Sequence, residues 1–525
     1  MKQRLRGRWT MAHAAMLIGV LVLAGCGGQA ESSRSGSGGP EGDPVAGGTL
    51  RMVMPAEAPQ FDPATTTVGP TFGDQIWPIF DTLVRVDAEG NITPRIAESV
   101  TSENDDVQHW TIKLREGVKF SDGTALDAEA VKFNWERAAE ETSTQTNSRA
   151  SQIARMTVVD ATTLEVDLKE PDVGFPYSLQ GALGMIGSPT AIESMGDEYA
   201  SAPVGAGPFA YDKRQPGTSI TYKKNPHYWD APRPYADQLE VRIVTDANQA
   251  AVSFKAGEAD IYHGSDDNAF AELESAGFRV LKPDTNGGSG FIFQFDKAPT
   301  DDVRVRKALV MAMSPQEASD NAMQGAAEPA YTWFSESSPF YQEDQRLPHE
   351  GDLKEAQALI DDYVAENGGP VEVTWSIVDT SVKWATAYSQ QIEQRLDNVE
   401  VKIESTSIAG ALEDLYSGDF HIAGIGFASL DPADQLNDRL MCDSVNNLGN
   451  YCNPAFDKAL TKASSTPDLE VRREAYREAT DVLIEDVPFF MRSRSIYYGA
   501  MSDQVGGLDW FANGYLTFDS AWLAK

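Results

Sequence analysis

Residues 371–427 read "VEVTWSIVDTSVKWATAYSQQIEQRLDNVEVKIESTSIAGALEDLYSGDFHIAGIGF", and their periodicity changes four times in 57 positions. "VEVTWSIVD" alternates apolar and polar residues as a strand does, and "VKWATAYSQQIEQRL" then puts Trp384, Tyr388, Ile392 and Leu396 on one helical face. "VEVKIES" alternates again, "ALEDLYSGD" has the length of a short helix, and "FHIAGIGF" is a third strand. A β-α-β-α-β run of this kind predicts a parallel α/β layer covered by helices.

Working outward, "LKEAQALIDDYVAENGG" predicts a preceding helix with Asp352 as its cap and Gly368 as its stop. A long helix is expected from about Asp468 to Ile484, followed by a returning strand in "VPFFMRSRSIYY". Towards the amino terminus, "GGTLRMVMPAEAPQFDPATT" reads as a strand entering a Pro-punctuated loop. Trp77, Phe80 and Leu83 recur at helical spacing, and Trp110, Ile112 and Leu114 alternate. Asp122-Gly123 marks a turn, Asp127 a helix cap, and "MTVVDATTLEVDLKE" a strand pair. No internal repeat is present.

Composition narrows the function. The 525 residues carry a formal net charge of −36 and no block of basic residues, which argues against binding nucleic acid. An acidic, well-solvated surface suits an exported protein. Residues 1–25 have the form of an export signal: Lys2, Arg4, Arg6 and Arg8, then "AAMLIGVLVLAG". Leu23-Ala24-Gly25-Cys26 resembles the lipobox of bacterial lipoproteins, which implies that Cys26 becomes the lipidated first residue. Residues 26–46 then form a Gly/Ser-rich tether. The expected place is the outer face of the cell membrane, in a periplasm or at the cell surface. The other cysteines, Cys442 and Cys452 in "MCDSVNNLGNYC", are expected to form a disulfide in an oxidising compartment, with a free thiol pair as the alternative.

The chain has no Gly-x-Ser-x-Gly elbow, phosphate loop, complete dinucleotide fingerprint or His-Glu-x-x-His motif. His13, His109, His227, His263, His349 and His421 lack metal-ligand spacing. No enzyme activity, catalytic residue, metal or cofactor is therefore expected. Aromatic residues beside Gly/Pro turns suit a cleft that stacks on a ligand, with core packing as the competing role of each ring.

Several stretches together resemble the large solute-binding proteins of ABC importers, the family with oligopeptide-, dipeptide- and nickel-binding members. They are "DTLVRVDAEGNITPRIAES", "WTIKLREGVKFSDGTALDAEAVKFNWERA", "PVGAGPFAYDKRQPGTSITYKKNPHYWD", "KAGEADI", "DDVRVRKALVMAM" and "YCNPAFDKALTKA" with the helix after it. The resemblance implies a two-lobed α/β fold like that of periplasmic binding proteins, of type II and the large peptide-binding subclass. Lobe I would take residues 47–88, 204–290 and 490–525, with 89–203 an inserted subdomain, and lobe II residues 291–489. It also implies a monomer that closes on a solute, most readily a peptide or peptide-like compound, and hands it to permease subunits driven by a cytoplasmic ATPase.

By the same resemblance, ligand contacts are expected from Thr66, Thr67 and Val68, from Ser289 and Phe291 in "GGSGFIF", and from Trp333 and Phe427. Peptide-binding relatives place an amine-pairing aspartate a few residues beyond this strand. Here Leu430 stands in that place and Asp431 is adjacent, so Asp431 is the candidate amine partner. The departure keeps glycans, opines, siderophores and metal chelates open as solutes. A sensory protein of the same fold and a secreted hydrolase are the competing functional classes.

Overall fold

The computed structural model describes residues 40, 42–66, 68–87, 91–103, 106–141, 145–429, 432–494, 496–510 and 514–524. Cys26, Thr67, Leu430 and Asp431 lie outside them. The run 371–427 folds as its pattern predicts. Strand Val371–Val378 lies between Val399–Thr406 and Ile422–Ser429 and is parallel to both. Helix Val382–Arg395 buries Trp384, Tyr388 and Ile392 against this layer. Antiparallel strands Asn286–Phe293 and Phe489–Ser493 complete a five-stranded sheet.

A second, seven-stranded sheet is assembled from distant parts of the chain. Its centre is Thr49–Met54, parallel to Gln238–Ile243 on one side and Ile261–Gly264 on the other. Ser219–Lys224 and Phe209–Gln215 extend one edge, and Tyr498–Met501 and Arg279–Leu281 the other. The two large sheets, each with helices on its faces, make the two-lobed α/β fold of periplasmic binding proteins. The chain passes from the seven-stranded to the five-stranded sheet after Leu281 and returns after Ser493. The expected divisions at 290/291 and 489/490 fall inside strands Asn286–Phe293 and Phe489–Ser493, both paired within the five-stranded sheet.

Residues 97–168 supply a four-stranded antiparallel sheet: Ala97–Ser102, His109–Leu114, Thr163–Leu168 and Ile153–Asp160 in spatial order. Helix Ala128–Glu140 covers it, packing Val131 and Trp135 into a core with Ile112, Leu114, Leu164 and Val166. Asp127 caps this helix by accepting from the Ala130 N–H at 2.9 Å, Asp352 caps Leu353–Asn367 through Lys354, and Asp468 caps Leu469–Asp486. Leu83 falls outside helix Pro70–Phe80, which stops when Asp81 turns to φ 56° and its N–H bonds the Trp77 carbonyl. The chain can pass close under that helix at Gly205, where a Cβ would stand 2.3 Å from the Ile79 carbonyl oxygen.

Asp81 also nucleates the most buried charge cluster described. Arg95 Nε and Nη2 donate to its two oxygens at 3.1 and 3.0 Å, and Nη1 donates to Asp519 at 2.9 Å. Tyr228 and the Trp229 indole N–H bond Asp81 as well, each at 3.0 Å. Four separated segments of sequence are thereby joined. The guanidinium holds the Asp519 carboxyl below the usual carboxylate range against the opposing effect of burial.

Candidate functional site

In open α/β sheets a ligand sits in the crevice beyond the carboxyl ends of the parallel strands. Here both sheets present those ends to the two crossovers. On the five-stranded sheet, Ser429 closes its strand opposite Asn286, the first residue after the outgoing crossover. On the seven-stranded sheet, Gly264 closes its strand opposite Tyr498, the first residue after the return crossover. Both crossovers thus join the carboxyl ends of the parallel strands, where this principle places a ligand.

Several side chains meet at that edge. The Tyr498 hydroxyl donates to Asp267 Oδ1 at 2.6 Å, where helix Asp267–Ser275 begins just after Gly264. Burial pushes the Asp267 carboxyl pKa up, against the pull of Arg492 and Tyr498. Arg492, on the return strand of the five-stranded sheet, stacks 4.5 Å from the Trp384 ring centre. His263 and Asp74 are both buried, with Nδ1 3.0 Å from Oδ2, and Tyr497 and Trp510 pack around the imidazole at 5.5 and 5.7 Å. Farther out, the Val173 N–H donates to the Ser464 carbonyl at 2.8 Å, joining the segment around the four-stranded sheet to the five-stranded half.

Two glycines stand on the strand that ends at the outgoing crossover. Gly424 and Gly426 alternate with the buried Ala423 and Phe427 on strand Ile422–Ser429, and Gly426 is exposed. Ile377 and Ile496 stand 3.0 and 3.7 Å from where their Cβ atoms would be. Glycine at these positions lets Ile377 and Ile496 lie close against the strand, and leaves the backbone at Gly426 accessible.

The expected contact residues are distributed as follows. Thr66 is buried in the turn 62–66, its N–H donating to the Asp62 carbonyl at 3.1 Å. Arg137 holds that turn with a two-pronged bond to Asp62 at 2.5 and 2.7 Å. Val68 packs in the core of the seven-stranded half and its carbonyl accepts from the Tyr515 hydroxyl at 3.1 Å. Ser289 lies between Gly426 and Ser493 in the five-stranded sheet. Phe291 is in the core, edge-on to Trp375 at 4.5 Å and stacked on Phe490. Trp333 and Phe427 pack against each other at 5.0 Å, on Phe489. The structure therefore brings Trp333 and Phe427 together, puts Phe291 in the cluster on the other side of the same sheet, keeps Val68 with the seven-stranded half, and ties the turn bearing Thr66 to the helix over the four-stranded sheet.

Cys442 and Cys452 are bonded in the structure, their Cα atoms 4.4 Å apart. The loop they close rests on the crossover strand's far end, where the Phe295 N–H donates to the Gly449 carbonyl at 2.8 Å. Among the described residues no group of three or more His, Cys, Asp or Glu side chains could hold a metal ion, and no helix is long and apolar enough to cross a membrane. Sequence reasoning missed Arg137, Asp267, Arg492 and the His263–Asp74 pair, all common polar residues whose partners are remote in the chain.

The model of the bacterial extracellular solute-binding proteins, family 5 (middle region), matches residues 91–447. The glutathione-binding protein GsiB of Escherichia coli (strain K12) is 28% identical over 424 residues, covering 78% of this chain and 81% of its own. The di/tripeptide-binding protein 1 of Pseudomonas aeruginosa (strain UCBPP-PA14) is 26% identical over 480 residues, 85% and 88% of the two chains. Among solved structures, the periplasmic binding protein DppA of Helicobacter pylori, in complex with the peptide STSA, superposes with a TM-score of 0.82 at 22% identity. The match covers 92% of this chain and 99% of that one.

Proposed function

Because the chain belongs to the bacterial extracellular solute-binding proteins of family 5, whose members are extracytoplasmic binding proteins and not enzymes, we propose that its cleft captures a short peptide or peptide-like compound. The bound solute is then delivered to the permease subunits of an ABC importer. The observation that carries this reading is that the parallel strands of both sheets end at the crossovers, beside the exposed Gly426. Peptide as the solute class is supported by the glutathione- and di/tripeptide-binding relatives.

In this reading the chain acts as a monomer held to the membrane by lipid on Cys26, with residues 26–46 as tether. The lobes meet at the crossovers, residues 89–203 form an insertion in the first lobe, and the Cys442–Cys452 bond forms on export. Ligand contributes contacts to both lobes and so favours the closed state. Asp431 pairs with the solute's amine. Leu430, at the position of the relatives' aspartate, supports a second reading in which the solute is a non-peptide such as an opine, glycan, siderophore or metal chelate.

Native mass spectrometry of the body from Gly47, purified from its source host and compared with the same sample after denaturation, tests the proposal. A peptide mass released on unfolding is the expected result; a non-peptide mass selects the second reading. A di- or tripeptide at 100 times its dissociation constant raises stability by about 2.7 kcal/mol, which thermal-shift screening detects. Peptide binding that survives Asp431→Ala removes that residue from the site.

A further inference from the structure

Arg494 stands where the chain leaves the five-stranded sheet on its return. Its Nη1 donates to the Gly287 carbonyl at 2.7 Å and the Trp333 carbonyl at 3.1 Å. Its Nη2 donates to the Thr332 carbonyl at 2.8 Å and hydroxyl at 3.1 Å, and reaches the Phe334 carbonyl at 3.4 Å. The Arg494 N–H donates to the Glu328 carbonyl at 3.0 Å. Two bonds tie the same segments without it: the Gly287 N–H to the Trp333 carbonyl at 2.8 Å, and the Ser335 N–H to Asn286 Oδ1 at 3.2 Å.

One guanidinium therefore knots together the landing point of the outgoing crossover, the departure point of the return crossover, and the segment 328–335 that carries Trp333. The crossovers are pressed together at Gly288, which has φ 148° and where a Cβ would stand 2.2 Å from the Ser493 carbonyl oxygen. Only glycine fits there. A planar fork of five N–H donors can reach carbonyls from several directions in one plane, and an ammonium on a flexible stem cannot replace it. Burial lowers the Arg494 pKa, opposed by Asp284, Glu328, Tyr341 and Glu336, so acidic groups surround the charge.

We propose that Arg494 is a positioning residue for solute capture, which locks both crossovers and the Trp333 segment into the five-stranded half. Opening and closing then bend the chain only beyond this clamp, between Leu281 and Asn286 and between Ile496 and Tyr498. The buried Trp333–Phe427 packing under the crossovers keeps one geometry in the open and closed states. The inference rests on the two-lobed closure described above. Its test uses the solute-free chain, so that an error about the solute leaves the result readable.

Hydrogen exchange and small-angle scattering are measured on the solute-free wild type and on Arg494→Lys, which keeps the charge and loses the fork. The expected result is at least tenfold faster exchange at the Gly287 and Ser335 amides, unchanged protection of strand Val371–Val378, and a larger radius of gyration. A merely structural staple would loosen Val371–Val378 along with the rest and leave the radius unchanged, and that outcome overturns the proposal, as does exchange identical to wild type. Should Arg494→Lys not fold, Gly288→Ala strains the same knot from the other crossover and is read by the same two amides. In the wild type itself, the Lys282 and Asp284 amides must exchange at least tenfold faster than Gly287; equal rates refute the clamp.

Discussion

Replacing Arg95 with methionine tests the joint that makes the seven-stranded half one body. The side chain is 6% exposed, and the Asp81 and Asp519 carboxylates it bonds are fully buried. Methionine fills much of the volume but leaves two carboxylates without their shared counter-charge. Removing one partner of a buried pair costs about 3–5 kcal/mol. The lower end applies here, because Tyr228 and Trp229 still donate to Asp81 and Arg233 lies 3.9 Å from Asp519. The pH dependence supplies a second, signed test. In the wild type the Asp519 pKa is depressed, so its contribution is present above the unfolded carboxylate value and is lost as pH falls through the lower folded value. In Arg95→Met, burial, the largest influence on the Asp519 carboxyl, raises its pKa above the unfolded value against the weaker pull of Arg85 and Arg233. Between those two values the penalty at Asp519 grows with rising pH, by about 1.4 kcal/mol per pH unit. The gap between the variant and wild type must therefore narrow from pH 7 to pH 5. Urea unfolding followed by tryptophan fluorescence, with hydrogen exchange of the Tyr228–Trp229 segment, measures both. A loss under about 1 kcal/mol at pH 7, or a gap that widens towards pH 5, would refute the account of the cluster as a buried ionic joint.

Phe291→Ala removes a ring wedged between Trp375 and Phe490 and should cost about 3–5 kcal/mol of stability while solute affinity stays near wild type. Lost binding at unchanged stability would instead put the ring in the cleft. Opening the Cys442–Cys452 bond, which spans a sequence separation of 10, should cost about 2.5–3 kcal/mol by loop entropy, and a thermal-unfolding scan with and without reductant reads it. A midpoint indifferent to reductant counts against a bonded pair in the exported protein. Arg137→Met frees the 62–66 turn from its charged clamp and should cost about 1.5–3 kcal/mol, with faster exchange at the Thr65 and Thr66 amides; unchanged exchange there would mean that the turn holds itself.

The parts of this fold that can be read in the sequence are those where one period runs long enough to be recognised. Trp384, Tyr388 and Ile392 declare a helix because each is four residues from the next, and the strands on either side alternate cleanly. The crossover stretch "TNGGSGFIF" has no such period. Its glycines answer to Ser493, Arg494 and Phe427, which press on it from far along the chain. Phe291, Trp333 and Phe427, expected as ligand contacts, are buried in packed clusters, and the sequence is ambiguous about them for a related reason. A phenylalanine or tryptophan beside glycine reads equally as a ligand platform or as a filler of the space glycine leaves. Burying its face is worth about 25 cal/mol per Å² wherever apolar neighbours are available. Phe489 and Phe490 supply those neighbours on opposite sides of one sheet, the first to Trp333 and Phe427 and the second to Phe291.

The charged joints are hidden for a different reason. Arg95 finds Asp519 across 424 positions, Arg137 finds Asp62 across 75, and Arg494 finds Gly287 across 207. In a chain with 79 acidic residues against 43 basic ones, every arginine has many possible partners, so composition selects none of them. What selects them is burial: an arginine carried inward by its strand or helix must be met by a carboxylate or by several carbonyls. The backbone route therefore decides which long-range pair forms, and the residues that position a solute can be named only after the crossovers have been traced.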